Sequence, residues 1–148
     1  MHLGSIYLIA RDFHKSITFY EKLLDRPVTA QNMERFAMFM HNEQCLAIMN
    51  AYFDTRNPGK TIYKGTYTPA FDELPAIAET ENTRKIVLNF CCEDLTAEHQ
   101  RITGLDLSEN LTSIKYVYNV APYYYFQLDD PDGNVIEVTG AYAGSINS

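Results

Sequence analysis

Glu137 is the residue of this chain best placed to do chemistry. It follows the turn-forming run Asp130-Pro131-Asp132-Gly133-Asn134 and sits in Val135 to Thr139, where apolar Ile136 and Val138 alternate with Val135, Glu137 and Thr139. A period of two sends the carboxylate to the face of a strand opposite the one that packs on a helix. In Tyr123 to Leu128, Phe126 and Leu128 are the more apolar set, which leaves Tyr123, Tyr125 and Gln127 looking the same way as Glu137. Alternation adds Ser5, Tyr7 and Ile9 from Gly4 to Ala10, Cys45, Ala47 and Met49 from a second run, and Val87, Asn89 and Cys91 from a third. An apolar and aromatic lining with a few hydroxyls, one amide and one carboxylate is the usual makeup of a small-molecule site. Tyrosines around a lone carboxylate suit a planar aromatic or cationic ligand, through stacking and cation–π contact. A plainer account stands level with it for any one tyrosine: the 11 Tyr serve β-propensity, and the sheet face is covered by another segment or a second subunit.

The remaining reactive residue types offer less. As a general base Glu137 would need a partner at fixed spacing, and none appears; the bland alternative is a carboxylate hydrogen-bonded to a nearby Tyr or amide. Cys45, Cys91 and Cys92 form no CxxC pair, so they are expected to be small buried hydrophobes in a reducing compartment, Cys91 included. His14, His41 and His99 fall in a first helical turn, a hairpin turn and a helix, positions of surface or packing histidines. His2 lies an odd number of residues from Ser5 and faces the opposite side of a regular strand. A net charge of −7 with 12 Lys plus Arg provides no basic stripe for nucleic acid. No run approaches the roughly 20 apolar residues of a membrane span. Without a charged-then-apolar leader after Met1, the expected location is cytoplasmic. No residue pattern calls for a cofactor.

The elements that position these residues come in two similar sets. Gly4 to Ala10 reads as a strand and Asp12 as a helix N-cap; Phe13, Ile17, Tyr20 and Leu24 then recur at helical spacing until Pro27. Phe36 to Met40 and Cys45 to Asn50, joined by His41-Asn42-Glu43-Gln44, form a hairpin. Ile86 to Cys92 is again a strand, and Asp94 caps a helix with Leu95, His99 and Ile102 on one face and Gly104 at its end. Ile114 to Val120, Tyr123 to Leu128 and Val135 to Thr139 complete the second set. Between them, residues 54–84, punctuated by Pro58-Gly59, Gly65, Pro69 and Pro75, form a connector with room for one short helix, long enough to cover something.

The expectation is therefore an α+β chain of two βαβββ modules, about 1–53 and 85–141, with a tail at 142–148, together making one domain over 1–148. Neither module buries a sheet face alone. Paired, they would curve a mixed sheet into a cup with the helices on the convex side.

Two local patterns resemble the glyoxalase/bleomycin-resistance (vicinal oxygen chelate) superfamily. One is Asp12 followed by Ser16-Ile17-Thr18-Phe19-Tyr20 and Leu23-Leu24; the other is Phe126 to Val138, FQLDDPDGNVIEV. Enzymes of that superfamily take metal ligands from the first strand, the last strand of module 1, the strand opening module 2 and the final Glu. The resemblance places these at Ser5, Met49, Val87 and Glu137, of which Glu137 alone matches. Three protein ligands are the usual minimum for a catalytic centre, so no metal is expected. The resemblance further implies a homodimer. The preferred function is metal-independent binding of a small molecule, by sequestration or transport, as in bleomycin-resistance-like proteins. The alternatives are a glyoxalase-like lyase or isomerase with a non-standard metal set, and a scaffold whose cup is an interaction surface.

Overall fold

A computed structural model describes residues 1–60, 73–118 and 121–144. The chain forms two compact units, Met1–Glu81 and Asn82–Ser148, which divide inside the expected connector.

In the first unit, β1 (Ile6–Ala10) leads into α1 (Phe13–Leu24). Asp12 has the extended backbone of an N-cap, and its Oδ1 accepts the Lys15 amide at 3.0 Å. The helix buries Phe13, Ser16, Phe19, Tyr20 and Leu23. Ile17 and Leu24, expected on the core side, are only half-buried, because the helix turns its Phe19–Tyr20 aromatic pair inward with small Ser16 between the large groups. The helix stops before Pro27: Asp25 takes the left-handed conformation (φ 50°) that ends it. β2 (Ala30–Asn32), β3 (Phe36–His41) and β4 (Gln44–Asn50) follow, and the sheet order is β1-β4-β3-β2. β2 was not visible in the sequence, being three residues long and wholly exposed. The β3–β4 turn is tighter than expected, since His41 and Gln44 pair and only Asn42 and Glu43 turn, Asn42 at φ 54°. Leu8, Ile48 and Ala37 share a row, with Ile48 and Ala37 fully buried, and Tyr20 reaches Phe39 at 6.3 Å, so this face lies beneath α1. Ile6, expected on that packed face, is exposed at the strand's start.

Among the described residues the connector region holds two short helices where one was expected, α2 (Phe53–Arg56) and α3 (Leu74–Ala78). Leu74 and Ala78 pack against Met49 and Ala51, with Ile9, Phe36 and Tyr52 around them. The connector thus covers the sheet face opposite α1. Tyr52 hydroxyl donates to Glu79 just past α3, and that bond to a carboxylate, with burial second, raises the Tyr52 phenol above its ordinary value.

In the second unit, β5 (Val87–Asp94) runs into α4 (Leu95–Leu105), with Asp94 Oδ1 capping the Ala97 amide at 3.0 Å. β6 (Lys115–Tyr118), β7 (Pro122–Asp129) and β8 (Val135–Ala141) complete an open sheet of order β5-β8-β7-β6. Gly104 does not end α4. The helix continues through it to Leu105, and Asp106 (φ 49°) supplies the left-handed stop. Leu95 and Ile102 are buried against the sheet as the spacing predicts, and His99 joins them, its ring edge-on to Phe126 at 4.9 Å and Nε2 at 2.8 Å from the Thr112 carbonyl. Gly140 is required where β8 passes β5, because a Cβ there would meet the Cys92 carbonyl oxygen at 2.5 Å and Sγ at 2.7 Å.

Candidate functional site

The turn before β8 is a hydrogen-bonded knot. Buried Asp130 accepts the Asp132 amide (2.9 Å) and the Asn134 amide (2.8 Å) on Oδ1, and the Asn134 side chain (2.8 Å) on Oδ2. Gly133 takes the positive φ of 79° that an L side chain resists. Asn134 Oδ1 in turn accepts Asn82 Nδ2 at 2.8 Å, tying the turn to the start of the unit. This fixes the register of β8 against both neighbours. Glu137 falls opposite Asn89 on β5 and opposite Gln127 on β7, so the three side chains form one row across the sheet.

On the helix side of these strands Leu88, Phe126, Leu128, Ile136 and Val138 are buried. Glu137 lies on the other, open face, half-buried. Its Oε1 accepts Tyr123 hydroxyl at 2.8 Å and Asn89 Nδ2 at 3.0 Å, and its Oε2 accepts Gln127 Nε2 at 2.9 Å. Asn89 Nδ2 also donates to Tyr123 hydroxyl oxygen at 3.1 Å. Burial, and after it the bond to Glu137, raise the Tyr123 phenol above its ordinary value, so it remains a proton donor at physiological pH. The Tyr125 ring lies 5.7 Å from that of Tyr123 at 35°, two rings side by side above the carboxylate row.

Of the residues expected to meet a ligand, Asn89, Tyr123, Gln127 and Glu137 are brought into contact, with Tyr125 beside them. Val87 is exposed on the same strand, opposite Val135 and one row away. The first unit holds the other three. Tyr7 is exposed and edge-on to Phe36 at 6.2 Å, Ser5 is exposed ahead of β1, and Met49 is packed under Leu74. Cys91 is not the buried thiol expected: it is exposed, because its alternation places it on the open face beside Asn89. Cys92, on the helix side, has its thiol pushed up by burial and then by Glu98 and Asp94, which keeps it protonated and unreactive. Two open-face residues were not singled out as ligand contacts. Thr139, on the face of Glu137 by the same alternation, gives its hydroxyl proton to the Tyr124 carbonyl at 2.8 Å; Lys115 lies opposite Tyr125 on the edge strand and could have been found only from the register.

Residues 2–138 match the sequence profile of the glyoxalase/bleomycin resistance protein/dioxygenase superfamily. The chain belongs to that superfamily. Solved structures share its fold: a glyoxalase/bleomycin resistance protein/dioxygenase from Nocardioides has a TM-score of 0.66 at 16% identity, covering 100% of this chain and 88% of that one. A lactoylglutathione lyase from Agrobacterium tumefaciens (TM-score 0.58, 15% identity) covers 95% and 93%. A glyoxalase/bleomycin resistance protein from Albidiferax ferrireducens T118 (TM-score 0.59, 16% identity) covers 94% and 98%. No curated protein matches the sequence.

The divalent metal held by enzymes of this superfamily does not fit the residues present. At the four positions where the resemblance puts metal ligands, Ser5, Met49, Val87 and Glu137 offer a hydroxyl, a thioether packed under α3, an isopropyl group and one carboxylate, which do not supply three hard or borderline donors. Both oxygens of the one carboxylate are already engaged by neutral donors, and among the described residues no group of three His, Cys, Asp or Glu side chains is gathered anywhere.

Proposed function

We propose that this protein binds a small planar organic molecule, apolar or aromatic in the main and cationic in its preferred form, without a metal, on the open face of β5, β8 and β7. Its role is then sequestration or transport. The observation that carries this reading is the state of Glu137: a half-buried carboxylate oriented by Asn89, Gln127 and Tyr123, with no cationic side chain bonded to it among the described residues. A negative charge held in place by neutral dipoles keeps its field for a ligand, while the Tyr123 and Tyr125 rings beside it offer stacking surface. The net charge of −7 disfavours phosphorylated ligands.

A thermal-shift screen of planar cationic, planar neutral and phosphorylated molecules tests this. A ligand at 100 times its dissociation constant adds about 2.7 kcal/mol to a single-site protein. Planar molecules, cationic ones above all, should raise the midpoint, and Glu137→Gln should diminish the shift. Stabilisation by phosphates or thiol conjugates alone would sink the reading. The exposed strand β6, with Tyr116, Val117 and Tyr118 uncovered, and the family likeness support a homodimer, which light scattering at tens of micromolar checks.

A further inference from the structure

The orientation of the side chains around Glu137 limits what a ligand on this face can present. A carboxylate only accepts hydrogen bonds, so each neighbour must turn a donor towards it: Asn89 its Nδ2, Gln127 its Nε2 and Tyr123 its hydroxyl proton. Amide orientation is often open to question, but here an obligate acceptor settles it. Both N–H bonds of Asn89 Nδ2 are then used, one on Glu137 and one on Tyr123. The Thr139 hydroxyl proton is used on the Tyr124 carbonyl. Among the described residues the face is left richer in acceptors than in donors: Asn89 Oδ1, near the Cys91 thiol at 3.9 Å, the Gln127 carbonyl oxygen and a second lone-pair site on Glu137 Oε2. Two side-chain donors stand against them, the second N–H of Gln127 and, one row away, the Tyr125 hydroxyl proton.

Resting on the small-molecule reading above, we propose that this face selects planar cations carrying two or more N–H donors on one plane, of the amidinium or guanidinium class, and rejects carboxylates of the same shape. A forked donor reaches Glu137 Oε2 and a neighbouring amide oxygen together, which a single ammonium or a neutral amide does less well. Of the other charged groups on the open face, Asp129 is engaged by Arg84 (2.8 Å) and Asn110 (3.0 Å). Lys115 lies on the edge strand directly opposite Tyr125, two strands and one row from Glu137, or about 12 Å at the usual strand spacing and rise. Over the Asn89–Glu137–Gln127 row an anionic ligand therefore meets the carboxylate, and only beyond Tyr125 would it meet Lys115.

Benzamidine, benzamide and benzoate have one shape and differ in donors and charge. Each is titrated into the full chain while the side-chain amide signals of Asn89 and Gln127 are followed by NMR. Benzamidine is expected to bind at least about tenfold more tightly than benzamide, the margin of one charge-assisted over one neutral hydrogen bond, and benzoate to leave the signals unmoved. In Glu137→Gln, checked for an intact amide spectrum, the advantage of benzamidine should disappear. Tyr123→Phe removes one donor from Oε1 and keeps the ring, so benzamidine should bind as well or better. Benzoate or benzamide binding here as tightly as benzamidine overturns the donor rule and leaves small-molecule binding standing. An advantage that survives Glu137→Gln overturns it too, as does silence from all three probes; in that last case the screen above decides separately whether the site binds any small molecule.

Discussion

Asp130→Ala should be the most costly single change in the turn that sets Glu137 in place. The side chain is 6% exposed and accepts three hydrogen bonds, from the amides of Asp132 and Asn134 and from the Asn134 side chain. Hydrogen bonds to a charged group contribute about 1.5–3 kcal/mol each, so losing these three removes roughly 4.5–9 kcal/mol before water makes good any of it. Asp132 and Asn134 are only half-buried, and water will replace part of what is lost, leaving an expected cost of about 3–4 kcal/mol. For a chain of this size that lowers the thermal midpoint by about 10 °C. Asp130→Asn keeps Oδ1 for the two backbone amides and sets an amide against Asn134 Nδ2, whose own oxygen is held by Asn82. Its cost should be about 1–2 kcal/mol. Thermal unfolding followed by circular dichroism measures both. An alanine variant losing less than about 1 kcal/mol, or an asparagine variant losing as much as alanine, would mean that the Asp130 carboxylate does not hold this turn.

Two further outcomes follow from the packing and the phenols. Leu74→Ala empties the middle of the cluster that joins α3 to Met49, Ile9 and Phe36, and should cost about 2–3 kcal/mol in urea unfolding; a value under about 1 kcal/mol would mean that α3 rests loosely on the sheet. Tyr123 and Tyr52 both hold their protons more tightly folded than unfolded, where the ordinary value is 10.0. Their contribution is complete below pH 10 and is lost as pH rises through the folded values, so wild type should lose stability above pH 10 faster than the double variant Tyr52→Phe, Tyr123→Phe; equal slopes in urea midpoints against pH would contradict this.

The sequence was most informative where a period and a turn reinforced each other. In Tyr123 to Leu128 and Val135 to Thr139 strict alternation assigns each side chain a face, and Asp130 to Asn134 allows little besides a tight turn. Both capping aspartates, Asp12 and Asp94, were legible for the same reason: an oxygen acceptor directly ahead of an amphipathic run has one use. The covering of Met49 was not legible, because α3 is five residues long and too short to show a period. The exit of α4 was misread at Gly104, since a glycine is tolerated inside a helix and an aspartate can take the left-handed stop. The bonded row Asn89–Glu137–Gln127 depends on the register of three strands, which no local pattern encodes, although each member had been assigned to the correct face. Cys91 was read by residue type, as a buried thiol, when its place in the alternation already put it beside Asn89.

Glu137 and its three donors are proposed to form a ligand site that works without metal. The most direct test is to titrate a molecule that succeeds in the thermal-shift screen into labelled protein in the presence of EDTA, following the side-chain amides of Asn89 and Gln127. Both signals should move saturably in wild type and stay still in Glu137→Gln. Signals that stay still in wild type, or that move only once a divalent metal is restored, would contradict it.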